Sequence, residues 1–209
     1  MKVYLMRHGE TDWNKARRLQ GQSDIALNEF GIELAVKTAE GLKDVVFDAA
    51  FSSPLQRAWV TAKIVIGDRN IVVETDDRLK EIYFGPSEGE CFDLIKQNKE
   101  HPLYHFFCKP DEFHPEDGSE SLEDARKRAK AFMEEKLLPL EKTCENVLVV
   151  AHGALNRCIL NTIAEIPDED FWHISLPNCA VSVLSLEQGK WKLLKESVVY
   201  YGEPVNGRP

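Results

Sequence analysis

MKVYLMRHGETDWN (1–14) is the stretch on which the architecture turns. Its apolar run, KVYLM (2–6), has no polar alternation, the pattern of a strand covered on both faces and hence of a parallel sheet. The run stops at Arg7 and His8, with Gly9 immediately behind. A second run of the same kind, NVLVVA (146–151), stops at His152 and Gly153. Open α/β sheets bind ligands beyond the C-terminal ends of their strands, so both histidines are expected in one crevice. The glycines are expected to let the backbone turn tightly there.

Working outward, strand and helix signals alternate. NEFGIELAVKTAEGL (28–42) places Ile32, Ala35, Val36, Ala39 and Leu42 on one helical face, with Asn28 as N-cap. DAAFSS (48–53) reads as a short strand. SSPLQRAWVTAKIVIG (52–67) then reads as a helix capped by Ser53, with Pro54 at its first position. IVVET (71–75) is a third strand. Ser121 to Asp124 resembles a capping box that opens a helix through about Leu138. A further helix follows His152, and residues 180–186 and 190–199 form a hairpin joined by EQGK. The segment 86–118, rich in proline, glycine and acid, reads as an excursion from the sheet. The expected fold is α/β: a three-layer α/β/α sandwich with a mixed, mostly parallel sheet, in one domain over 1–209 with a small inserted cap near 86–118.

The chain has 209 residues and a net charge of −9, which disfavours nucleic acid and anionic membranes as partners. Residues 1–18 nonetheless carry five basic against two acidic side chains, enough to hold a small anion. No apolar stretch spans a bilayer and no leader pattern is evident, so a bacterial-type cytoplasmic enzyme is expected. Five scattered cysteines do not form a disulfide framework, and those in NRCIL and PNCAV read as small buried hydrophobes. His101, His105 and Cys108 are close in sequence, but HPLYHFFC reads as an aromatic surface without a fourth metal ligand. Trp13, Trp59, Phe84, Trp172 and Trp191 read as packing residues rather than substrate platforms.

A crevice holding Arg7, His8, Arg57 near the start of a helix, and His152 at the start of another suits a phosphoryl group. Guanidinium forks bind phosphate bidentately, and helix N-termini add aligned N–H groups. A histidine there acts as nucleophile if one ring nitrogen is free and the other donates, as to a backbone carbonyl. The leaving alkoxide needs a proton, for which Glu81 is the candidate.

These residues lie in blocks that resemble the histidine phosphatase superfamily, the phosphoglycerate-mutase-like proteins. The blocks are RHGETDWN (7–14), LQGQSDIALNEFGIELA (19–35), SSPLQRAWVTA (52–62), LKEIYFGPSEG (79–89), GSESLEDARKRA (118–129) and VLVVAHGALNR (147–157). Their order and spread cover nearly the whole chain. The resemblance implies that His8 forms a phosphohistidine and that Arg7, Arg57 and His152 bind the phosphoryl group and stabilise its transition state. It makes Glu81 the general acid and base, and Asn14 and Gln20 contacts to the phosphate. No metal or cofactor is implied. The partner is a small phosphate monoester, and the oligomeric state stays open, with a homodimer allowed. In one departure, Ser87 stands where the family block commonly has tryptophan, beside Glu81, a change expected to alter the cap or the substrate edge of the pocket.

The leading expectation is a phosphatase of small monoesters. The alternatives are a cofactor-dependent phosphoglycerate mutase, a non-catalytic phosphate-ligand-binding regulator and a metal-dependent hydrolase. Mutases of the family that use 2,3-bisphosphoglycerate usually carry a longer insertion between the glutamate and the second histidine, so the short 82–151 interval favours a phosphatase.

Overall fold

A computed structural model describes residues 1–115 and 118–202. Glu116 and Asp117, inside the expected excursion, and residues 203–209 lie outside the described residues. The strands are β1 (Lys2–Arg7), β2 (Ala49–Ser52), β3 (Val73–Thr75), β4 (Asn146–Ala151), β5 (Val181–Glu187) and β6 (Lys190–Val198). The helices are α1 (Asp12–Lys15), α2 (Glu29–Gly41), α3 (Gln56–Ile66), α4 (Phe92–Gln97), α5 (Tyr104–Cys108), α6 (Leu122–Phe132) and α7 (Gly153–Ala164). All six expected strands are present.

The strands form one sheet in the order β3-β2-β4-β1-β5-β6. Pairing is parallel from β3 to β1, and only β5 runs against its neighbours. The hairpin turn is Gln188-Gly189, both at positive φ, a conformation that follows the strand twist. Alternation in the central strands divides the core. Val3, Leu5, Val147 and Val149 pack with α6 and α7, while Met6, Leu148 and Val150 pack with α2 and α3. A third cluster, including Ile82, Phe84, Ile95, Phe106 and Phe171, lies under the excursion. Among the described residues, no helix is long and apolar enough to cross a membrane.

Three local expectations are corrected. Helix α2 is capped by Asn28, as expected, but Ile32 and Val36 are 44% and 53% exposed. Its buried face is Gly31, Leu34, Ala35 and Thr38. Helix α3 begins at Gln56 rather than at Pro54, and its first N–H donates to Asp24 Oδ1 of a distant loop. Ser53 Oγ accepts only from Leu55 N, just outside the helix. Ser121 caps α6 as expected, but the α-helix ends at Phe132 rather than near Leu138, and the chain continues through a π-helical turn and a 3₁₀ turn to Leu140.

Gly31 explains which way α2 faces. A Cβ there would fall well inside contact distance of the Glu10 backbone. Gly9 in turn packs on Gly31, and neither Gly9 nor Gly153 has a positive φ. Close approach, not a tight turn, therefore calls for glycine at Gly9. The loop that carries His8 is pinned to α2 by this contact. Gly31→Ala is expected to destabilise the protein by about 3 kcal/mol or more, because both colliding segments are backbone. A urea midpoint unchanged from wild type would contradict that packing account.

Candidate active site

The parallel register of β1 and β4 places Arg7 opposite Ala151, and His8 N–H donates to Ala151 O at 3.0 Å. The two strands therefore end together, and the residues that follow meet: the imidazoles of His8 and His152 lie 5.2 Å apart between centroids. His8 Nδ1 sits 2.6 Å from Gly9 O, so this nitrogen is the donor and Nε2 is left with its lone pair. Asn178 Nδ2 donates to His8 O and Gly9 O and fixes the loop from the other side.

A cavity of about 210 Å³ opens above His8. Arg7, Asn14, Gln20, Arg57 and Glu81 all line it. His152 does not line it; fully buried, it stands against His8, and both its ring nitrogens are without hydrogen-bond partners among the described residues. Arg7 Nη1 donates to Leu176 O at 2.6 Å. Arg57 is the second residue of α3, fully buried, and its two amino groups donate to Ser23 O and Gly21 O at 2.7 Å each. Asn14 Oδ1 accepts from Thr11 and Asn178, which leaves the amide NH₂ for the cavity. Gln20 Oε1 is buried and has no hydrogen-bond partner among the described residues.

Glu81 joins the site by an unexpected route. Its Oε1 accepts from Ile82 N and Leu155 N, and its Oε2 from Ala154 N. It thereby covers the N-terminal N–H groups of α7, where a negative charge is favoured. One lone pair of Oε2 remains for a proton. Glu88, the other nearby acid, instead accepts from Gln22 N, Ser23 N and Ser23 Oγ, and so shapes the loop that Arg57 ties down.

Burial, then the charges of Arg57 and Arg7, hold the His8 imidazole well below its ordinary range. Burial, then Arg57 and His8, does the same to His152. Burial also pulls Arg57 down to about 10. Both histidines are thus neutral in the folded, unliganded protein. In the unfolded chain each binds a proton below about pH 6.5. Between that pH and the much lower folded values, the unfolded state holds more protons. Stability is therefore expected to fall on acidification below about pH 6.5, by up to about 1.4 kcal/mol per pH unit per histidine. Above that range the pair contributes no slope. Urea titrations at a series of pH values test this, and a slope unchanged in His152→Ala would contradict it.

The upper walls of the cavity are aromatic. Phe84, Phe92, Phe106, Phe107 and Trp172 line it, so Phe84 and Trp172 are not packing residues alone. Trp59 is 41% exposed and is far from full burial. Ser87 is buried in the 3₁₀ turn Gly85–Ser87 and does not line the cavity. His101 Nδ1 accepts from Leu103 N, which occupies that nitrogen in the HPLYHFFC stretch. The missed residue is Arg157, which also lines the cavity. A lone cation in the apolar run NRCIL was the signal for it.

With this geometry in view, the comparisons are specific. The family described as "Histidine phosphatase superfamily (branch 1)" matches residues 3–198. A protein named probable phosphoglycerate mutase from Yersinia pestis (strain Pestoides F) is 32% identical over 192 residues, 91% of this chain and 87% of the relative. The solved structure of Bacillus stearothermophilus YhfR superposes with a TM-score of 0.88 at 31% identity, covering 95% of this chain and 97% of the other. The phosphoserine phosphatase of Entamoeba histolytica, solved with phosphoserine, gives a TM-score of 0.80 at 28% identity over 94% and 96% of the two chains.

Proposed function

The chain belongs to the histidine phosphatase superfamily, and from that premise we propose that it hydrolyses small phosphate monoesters through a phosphohistidine on His8. The observation that carries this reading is the His8 ring itself. Its Nδ1 is committed to Gly9 O, and its neutral Nε2 sits at the floor of a cationic cavity.

The phosphoryl group lies between Arg7 and Arg57, and the NH₂ of Asn14 and the side chain of Gln20 reach its remaining oxygens. His8 Nε2 attacks phosphorus while the bond to the leaving oxygen breaks, and the proton on Glu81 Oε2 passes to that oxygen. Water then attacks the phosphohistidine, Glu81 takes its proton, and inorganic phosphate leaves. His152 supports the transferring group from beside His8, where its ring nitrogens, unpartnered among the described residues, can meet a phosphoryl oxygen. Arg7, Arg57 and the start of α7 stabilise charge on the equatorial oxygens. The excursion forms a cap, with Phe92, Phe106 and Phe107 excluding water from above.

The mutase reading keeps a specific support, the name of the Yersinia relative. That relative is matched over 87% of its own length, so the short 82–151 interval does not separate the two activities. Product analysis with 3-phosphoglycerate does. Hydrolysis yields free phosphate and glycerate; accumulation of 2-phosphoglycerate would overturn the phosphatase reading.

Glu81→Gln is expected to slow alkyl phosphates by about 10²- to 10⁴-fold and aryl phosphates by much less, since a good leaving group needs little protonation. Comparing glycerol phosphate with p-nitrophenyl phosphate checks this, and equal losses would assign the proton to another group.

A further inference from the structure

Arg157 is a buried cation that the mechanism above does not use. It stands in the second turn of α7, is 9% exposed and lines the cavity. Nε donates to Ile174 O at 3.0 Å and Nη1 to Gly153 O at 3.1 Å. Nη2 makes no hydrogen bond, and no carboxylate lies within ion-pair distance, among the described residues. Its situation is unlike that of Arg17, Arg78, Arg126 and Arg128, each of which faces a carboxylate: Asp93, Asp76, Asp168 and Glu120. Burial has pulled Arg157 down to about 9, the Arg7 charge adds to that, and the more distant charge of Glu81 opposes it in part. Arg7 Nε and Arg157 Nη1 each lie 3.5 Å from where a Cβ on Gly153 would sit, so two like charges bracket the start of α7.

The location assigns a side of the ligand. Arg57 is bound to the loop carbonyls of Gly21 and Ser23. Arg157 instead lies under the aromatic wall, its Cζ 4.8 Å from the centroid of Trp172, which stacks on Phe107. Arg7 and Arg57 match the two charges of a phosphate monoester dianion. Glu81 is committed to the N–H groups of Ile82, Ala154 and Leu155, and Arg157, whose hydrogen bonds among the described residues go to carbonyls only, is the buried cation left for a further anion. A buried cation without an anion is unfavourable, and its planar fork suits a carboxylate.

We propose that Arg157 binds a carboxylate on the leaving group, so that the favoured substrates are phosphate monoesters of short hydroxy acids. The inference rests on the monoesterase reading and narrows it. Arg18 and Lys96 also line the cavity, but both are exposed, and Lys96 Nζ lies over the rings of Phe92 and Phe107. Solvent screens exposed charges, so they are assigned no such selectivity.

Two substrate pairs isolate the carboxylate: 3-phosphoglycerate against glycerol 3-phosphate, and O-phosphoserine against O-phosphoethanolamine. In wild type, kcat/KM should favour the acid of each pair by at least about tenfold, through KM, as one charge-assisted hydrogen bond predicts. Arg157→Gln should bring both ratios to within about twofold of unity, and Arg157→Lys should retain part of the preference, because the charge survives without the fork. Lys96→Gln should keep the ratios. A wild-type ratio near one, a ratio that survives in Arg157→Gln, or one lost in Lys96→Gln would each overturn the proposal. Should Arg157→Gln fail to fold, as its melting curve would reveal, the wild-type ratios and Arg157→Lys decide. Hydrolysis of p-nitrophenyl phosphate with no preference for acids sinks this inference alone. Hydrolysis of no monoester at all sinks the reading beneath it as well.

Discussion

His8→Ala is expected to lower kcat by about 10⁴-fold or more for aryl and alkyl phosphates alike, because a methyl group cannot accept phosphorus. The leaving group should not matter, in contrast to Glu81→Gln. The neighbouring His152 cannot take over. Its ring does not line the cavity, so in the proposed mechanism it steadies the phosphoryl group from beside His8 without being aimed at phosphorus. Binding should outlast turnover, because Arg7, Arg57 and the cavity walls remain. Phosphate or a slow monoester should therefore still protect the variant against thermal unfolding. The variant should also lose part of the acid sensitivity of the wild type, since one of the two buried neutral imidazoles is gone. Steady-state rates, with melting curves in phosphate, check all three. A rate within tenfold of wild type would remove His8 from its role.

Arg57→Met carries the second large effect. In the proposed mechanism Arg57 binds the phosphoryl group, and it also holds Gly21 and Ser23 in place through two carbonyls, so its loss removes a charge and loosens the loop that carries Gln20. A fall in kcat/KM of about 10²- to 10³-fold is expected, the range for removing one preorganised donor at a developing charge. A second readout separates electrostatics from mere loosening. The Arg57 charge is the foremost charge pressing both imidazoles down. Without it, His8 and His152 should titrate at higher pH, and the acid limb of kcat/KM should move upward. Activity lost with no shift of that limb would make Arg57 a structural tie alone. An unchanged rate would exclude it from the site.

The strands and the meeting of Arg7, His8 and His152 were legible because they rest on the most robust sequence signal. Short apolar runs without alternation, bounded by turn signals, read as buried strands, and neighbouring parallel strands end at the same edge. Less was legible where the deciding contact lies far away in sequence. Hydrophobicity alone turned α2 toward Ile32 and Val36. The true face is chosen by Gly31 against the Glu10 backbone and by Thr38, which satisfies its hydroxyl on Leu34 O. The start of α3 is set by Asp24, a cap that no local spacing reveals. Glu81 is named by its place after β3 and by the resemblance, but its seat on the N-terminal N–H groups of α7 depends on residues more than 70 positions away and has no local signal. Phe84 and Trp172 read as packing because an aromatic side chain can fill a core and line a cavity at once, and here they do both.

The central claim, that a neutral imidazole in a cationic nest becomes phosphorylated, is tested most directly by quenching turnover of a phosphorus-labelled monoester and mapping the label. The account predicts an acid-labile, base-stable label on the peptide containing His8, absent in His8→Ala and longer-lived in Glu81→Gln. Steady turnover with no label at any quench time, or label on another residue, would contradict it.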